Sequence, residues 1–228
     1  MAALVWDKVG ERLVETGIDK AVLFIQKADG TYDKGIAWNG WTGFDENPEG
    51  GDPNDLWADN IKYCSLTGTE KFKGTIKAYM YPDEFEECDG SKEIAPGVFA
   101  GQQNRKVFGL CYRSLIASDT EGMDKGYKIH LVYGCKASPS GKSRSTVNDS
   151  PDGIEFSWEV DSTPAPFTTK VDGVLPKPTS TIVIDSTKIT SEKLTAIENL
   201  IYGTDGDNGV GGTESTLPNP DKVIEVLS

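Results

Sequence analysis

KVFGLCYRSLIAS (Lys106 to Ser118) and GYKIHLVYGCKAS (Gly126 to Ser138) decide the fold. Both runs are dense in aliphatic, β-branched and aromatic residues, and the polar stretch DTEGMDK (Asp119 to Lys125) joins them. Two such runs around a polar turn read as an antiparallel strand pair. Downstream, GIEFSWEVDST (Gly153 to Thr163) alternates, with Ile154, Phe156, Trp158 and Val160 on one face and Glu155, Ser157, Glu159 and Asp161 on the other. That is the period of a half-buried strand. TSTIVIDST (Thr179 to Thr187) supplies another. Upstream, DKAVLFIQK (Asp19 to Lys27) is a strand, and Ala28-Asp29-Gly30 turns the chain. TYDKGIAWNGWTGF (Thr31 to Phe44) returns, with Gly35, Gly40 and Gly43 allowing kinks or bulges.

Between these strands lie weaker signals. ENPEGGDPNDLWADN (Glu46 to Asn60) reads as a loop entering a short helix, with Asp52 as N-cap, Pro53 at the first helical position, and Leu56 and Trp57 on the buried side. Ile61 to Tyr81 reads as one hairpin closed near Thr67-Gly68-Thr69. YPDEFEECDG offers a short helix opened by Pro82 and stopped by Gly90. The strong helix follows Thr190, where Leu194, Ile197, Leu200 and Ile201 form one stripe and Gly203 takes the stop position. TDGDNGVGGTES is a glycine-rich loop, and NPDKVIEVLS a short helical tail capped by Asn219 and Pro220. The expectation is a mainly β chain: an antiparallel β-sandwich or barrel flanked by one α-helix, with a long loop and terminal arms. As one domain over 1–228, it divides into an N-terminal arm (1–18), a sandwich (19–203) with its helix at 191–202, and a C-terminal loop and arm (204–228). The first arm, interrupted by Gly10 and Gly17, either docks on a neighbouring subunit or folds back on its own core.

Composition narrows the function. Lys plus Arg number 23 against 36 Asp plus Glu, a net charge of −13, which repels phosphate backbones and anionic membranes. The N-terminus has no charged start followed by an apolar run, so it does not read as a signal peptide. No apolar stretch approaches the roughly 18 residues of a membrane span. A soluble chain made in the cytoplasm is expected.

Catalytic patterns are incomplete. His130, the one histidine, sits mid-strand in YKIHLVY without a G-x-S-x-G elbow, and reads as structural, although sequence leaves a Cys–His pairing open. Cys64, Cys88, Cys111 and Cys135 contain no CxxC, and three of them lie in apolar runs as small core residues that need no disulfide. SPSGKS (Ser138 to Ser143) has Lys136 where a phosphate loop needs glycine, leaving a basic loop around Lys142 and Arg144. The stretch from Asp205 to Gly209 departs from a calcium loop at Gly209, Val210 and Thr216. The acidic cluster Pro82 to Asp89 reads as a solvated helix face. No catalytic, cofactor-binding or metal residue is assigned, no cofactor is expected, and the chain does not read as an enzyme.

Several stretches together resemble the major tail proteins, the tail tube subunits, of long-tailed bacteriophages. The carriers are ADNIKY (Ala58 to Tyr63), YPDEFEECDGS (Tyr81 to Ser91), GQQNRKVFGLCYR (Gly101 to Arg113), Lys125 to Pro151 and FSWEV (Phe156 to Val160), followed by the ending LPNPDKVIEVL. GQQNR and YKIHLVYG are the most specific. The resemblance implies a structural virion protein with a β-sandwich flanked by a helix. Such subunits form hexameric rings that stack into a hollow tube, and terminal arms and a long loop or hairpin join successive rings. The implied partners are copies of the chain, the tail tip or baseplate, the tail terminator, the tape measure protein, and phage DNA that passes without specific binding. The implied place is the virion tail.

Two further readings stand beside it. One is a tube subunit of a phage-derived injection or secretion device, which neighbouring capsid and packaging genes would distinguish. The other is a carbohydrate-binding sandwich with Trp38, Trp41 and Trp57 as stacking platforms. A hydrolase built on the acidic cluster is weaker, because no second, separated carboxylate pair is present.

Overall fold

The computed structural model describes residues 3–147, 149, 152–206 and 211–228. Its strands are β1 (Leu13–Ile25), β2 (Ile36–Ala37), β3 (Trp41–Glu46), β4 (Glu49–Gly50), β5 (Pro53–Ala58), β6 (Ile61–Thr67), β7 (Glu70–Lys71) and β8 (Lys73–Ala78). After a 3-10 turn and α1 (Glu86–Asp89) come β9 (Lys92–Ala95), β10 (Val98–Ala100), β11 (Phe108–Ser118), β12 (Gly122–Ala137), β13 (Phe156–Ser162) and β14 (Thr181–Asp185). The chain closes with α2 (Ser191–Tyr202) and α3 (Pro220–Leu227). The fold is mainly β and antiparallel, as the alternating runs imply.

The anticipated strand pair is the spine. β11 and β12 run antiparallel from Phe108↔Cys135 to Ser118↔Gly122, a tighter reversal than the seven-residue turn read from sequence. The main sheet is ordered β2-β1-β11-β12-β13-β8-β3, with β14 also on β12. β12 therefore serves two partners: Lys128–Val132 pairs with β14, and Cys135–Ala137 pairs with β13. Gly134 makes this division. Its φ is +59, and a Cβ there would lie 2.3 Å from the Thr163 carbonyl oxygen. Glycine is the residue that tolerates both constraints. The ladder to β11 slips by one residue at this point, between Phe108↔Cys135 and Leu110↔Val132, as a bulge does. Ile129, Leu131 and Tyr133 face one core, whereas Cys135 and Ala137 face the other.

The first core lies among β1, β8, β11, β13 and the short helical turn. Trp38, Ile76, Phe85, Phe108 and Trp158 are buried in it. Its aromatic rings meet mostly edge to face, Phe85 on Trp158 with centroids 5.2 Å apart and Phe85 on Phe108 at 5.5 Å, the arrangement ring quadrupoles favour. Trp38 donates its indole N–H to the Met80 carbonyl at 2.8 Å. The anticipated alternation of β13 holds: Trp158 and Val160 are buried and Ser157, Glu159 and Asp161 are exposed.

The second core forms on the opposite face of the β1-β11-β12 ribbon. α2 spans the anticipated residues and buries Ile197 and Ile201 against Val22, Phe24, Ile129 and Leu131. α3 is capped as read, the Asn219 side chain accepting from the Lys222 N–H at 2.8 Å with Pro220 at the first position. Leu217 and Val223 are buried here, and Tyr133 donates its hydroxyl to the Pro218 carbonyl at 2.9 Å. The tail beyond residue 211 therefore completes this protomer's own core instead of extending as the arm read over 204–228. The glycine-rich loop lies partly outside the described residues, at 207–210.

Three local expectations are corrected. Pro53–Ala58 is a strand, β5, and not a helix, and Leu56 and Trp57 are exposed instead of buried. Proline is tolerated as the first residue of a strand, and Asp59 and Asn60, at φ +50 and +61, reverse the chain into β6. Asn and Asp accept this left-handed backbone more readily than most residues. β6 consequently pairs with β5, and β8 pairs with β13 and β3, so no hairpin closes at Thr67–Thr69. Finally, β1 begins at Leu13 and pairs with β11 from there, which leaves only the stretch before it extended, shorter than the arm read over 1–18.

Candidate assembly surface

The residues with chemical potential are engaged in structure. His130 lies opposite Tyr112 in the β11–β12 ladder. Its Nε2 is 2.8 Å from Ser114 Oγ and 3.7 Å from Glu15 Oε1, while buried Nδ1 has no partner among the described residues. Burial pushes its pKa down, against the pull of Glu46 and Glu15, which favours the neutral ring. Among the described residues its side-chain partners are Tyr112, Ser114 and Glu15, and none is a thiol. Cys88, Cys111 and Cys135 are buried free thiols. Burial pushes the first two up to about 12 and raises the third as well, the opposite of an activated nucleophile.

Charged motifs are likewise occupied. Lys142 pairs with Asp89 at 2.5 Å and lies over the Tyr81 ring. In the acidic cluster, Glu87 pairs with Lys106, and Glu86 accepts from the Tyr81 hydroxyl at 2.9 Å. The three tryptophans do not form a sugar platform: Trp38 is 2% exposed inside the first core and Trp41 is half-buried beside it, whereas Trp57 is 68% exposed on β5.

What the surface does carry is unpartnered apolar area. The β5–β6 register sets Leu56 opposite Cys64, Ala58 opposite Ile61 and Asn54 opposite Leu66. Directly opposed residues share a face, so one side of this hairpin is almost wholly apolar. Leu56, Ile61 and Leu66 are exposed there. The other side is held by Lys62 to Asp55 at 2.7 Å and by the Ser65 hydroxyl, which donates to Asp55 at 2.7 Å. An isolated two-stranded hairpin is marginal in water, and this one forms its own two-stranded sheet apart from the main one. Further exposed apolar residues are Leu4, Val5, Trp6 and Val9 before β1, and Ile94, Val98 and Phe99 on β9–β10.

Sheet edges are open as well. β2 pairs only with Val22 and Leu23 of β1, so the outer edge of β1 before them carries no strand among the described residues. β3 ends the sheet at its other side. Such edges invite pairing with another chain. Open edges and exposed apolar hairpins of this kind mark interaction surfaces.

The sequence supports this independently: residues 42–204 match the family of phage tail tube proteins. The chain belongs to that family. No curated protein matches the chain. The match covers most of β3 and everything from β4 through α2, including the β5–β6 hairpin and the spine. A tail tube protein is a structural component of the virion tail, and it self-assembles with other tail proteins. Sequence reasoning places Leu56 and Trp57 on a buried helix face and so misses this candidate assembly surface. The signal available was the run Leu56, Trp57, Ile61, Tyr63 and Leu66 around Asp59-Asn60, apolar residues around a turn dipeptide.

Proposed function

We propose that the chain forms hexameric rings that stack into the hollow tail tube through which phage DNA leaves for the host. The apolar face of the β5–β6 hairpin, exposed and with no main-sheet strand across it, supports this reading most directly. Ring closure covers the open edges of β1 and β3 by joining sheets of neighbouring copies, as closed symmetry requires. The hairpin and the stretch before β1 are then the contacts between rings. Tail tip or baseplate, terminator and tape measure proteins are the partners at the ends and inside the tube. The net charge of −13 gives DNA a passage without adhesion where Asp and Glu face the lumen.

The test is negative-stain electron microscopy of the purified, concentrated chain at moderate salt, which screens its charge. Six-fold rings or tubes with an open centre are expected. A chain that stays monomeric at every concentration, also when tail tips are added as seeds, overturns the proposal.

A further inference from the structure

A groove of about 530 Å³ opens between the start of the β1–β2 pair and the end of α2. That is the size of pockets that take drug-sized ligands, and it exceeds the needs of one aromatic side chain. Val22 and Ala37 belong to its wall, with Trp38 and Tyr202 beside them. Ala21 and Ile201 add to this apolar wall. At its rim stands Lys20, whose φ of +48 breaks the β1 ladder between Asp19 and Val22. Its ammonium lies 5.2 Å from the Tyr202 ring centroid and has no carboxylate partner among the described residues. No hairpin residue of the same protomer lines this groove.

The β5–β6 hairpin is a matching shape. Trp57 and Leu56 stand two and three residues before its tip dipeptide, with Ala58 between, and Asp59 forms the tip with no cationic partner among the described residues. An indole followed two residues later by a carboxylate complements an apolar groove with one cation at its rim. We infer that this groove receives the β5–β6 hairpin of a second copy, Trp57 entering beside Val22 and Ala37 and Asp59 meeting Lys20. The inference rests on the tube reading and deepens it by naming the receiving surface. A knob and a pocket at different places on one molecule make a head-to-tail contact, which repeats from copy to copy and generates rings or filaments. It covers the side of the hairpin that carries Trp57 and Lys62, opposite the apolar side of Leu56, Ile61 and Leu66.

Two experiments decide it. A photoreactive p-benzoylphenylalanine placed at position 57 should link, in assembled tubes only, to peptides of another copy that contain Lys20 to Asn39 or Tyr202. Lys20→Glu should raise the concentration needed for tubes about tenfold, since like charges at a contact oppose docking, and adding Asp59→Lys should restore it. Lys20 and Asp59 are both exposed; because Asp59 holds a φ of +50, a thermal melt of Asp59→Lys alone and of the double variant checks that the hairpin stays folded. Tubes whose position-57 links fall elsewhere, or that are indifferent to Lys20→Glu, overturn the inference while the tube reading stands. Links to the groove from a probe at Trp6 instead of Trp57 would make the N-terminal stretch the occupant and overturn it equally. A wild-type chain that never assembles removes the tube reading itself, and this inference with it.

Discussion

Tyr112 and His130 lie flat on one another across the β11–β12 ladder, centroids 4.6 Å apart and planes 4° from parallel. Tyr112 donates its hydroxyl to Glu46 at 2.9 Å, and the histidine side chain is only 12% exposed. Burial lowers the histidine pKa, with Glu46 and Glu15 opposing and Lys128 assisting. The neutral ring is therefore the form the folded state favours. The unfolded chain titrates near the ordinary value of about 6.5, so stability is full above it and falls as pH drops below it. Glu15 adds to the same acid limb. Its pKa is lowered by the Lys128 ammonium and by the Ser114 hydroxyl, so its contribution is present above the ordinary carboxylate range and lost as pH falls through it. Melting temperature measured from pH 8 to pH 4 should decline below about 6.5, and His130→Gln should flatten the upper part of that decline. An unchanged slope in the variant would assign the acid loss to carboxylates alone.

Gly134 predicts a large single-site effect. Alanine there meets the Thr163 carbonyl at 2.3 Å and a φ of +59. Left-handed strain alone is about 1–2 kcal/mol, and the clash adds overpacking of about 1–3 kcal/mol. Urea denaturation of Gly134→Ala should show a loss of about 3 kcal/mol. Gly141→Ala, where a Cβ meets nothing within 4 Å, should be near neutral.

Trp158 separates packing from polarity. It is fully buried, and its indole N–H has no acceptor among the described residues. Trp158→Ala should cost about 3–5 kcal/mol by opening a cavity in the first core. Trp158→Phe loses volume but removes an unpaired donor, so it should cost below about 1.5 kcal/mol. Equal losses in the two variants would mean that the N–H is satisfied in solution.

Much of this architecture was legible because its strands are one-sided or fully apolar. β13 declares its face through Trp158 and Val160 against Glu159 and Asp161, and α2 declares its stripe through Ile197 and Ile201. What escaped was set by distant or external partners. β8 finds β13, whose residues follow some eighty positions later in the chain, for example Ile76 opposite Trp158, and no local pattern encodes that choice. The face switch at Gly134 depends on the Thr163 carbonyl beside it. The β5–β6 hairpin misled because its apolar residues have no partner within the protomer, so Asp52 and Pro53 were read by their local helix preference alone. The candidate assembly surface escaped for the same reason: burial there is expected only between copies.

Cysteine accessibility turns that last point into a measurement. Cys88, Cys111 and Cys135 are fully buried, with thiol pKa values raised by burial, whereas Cys64 lies half-buried on the apolar face of the hairpin opposite Leu56. Thiolate access governs reaction with an aromatic disulfide reagent. Unassembled native protein should therefore release one equivalent promptly, from Cys64, and denatured protein should release four, the full count of cysteines. Cys64→Ser should abolish the prompt equivalent and leave the fold unchanged. If the hairpin face is covered between copies, assembly should slow the Cys64 reaction about tenfold or more, since access then requires the contact to open. A prompt equivalent that survives unchanged in assembled tubes would place this face on the tube surface, and would move the ring contact to the stretch before β1 or to the β9–β10 hairpin.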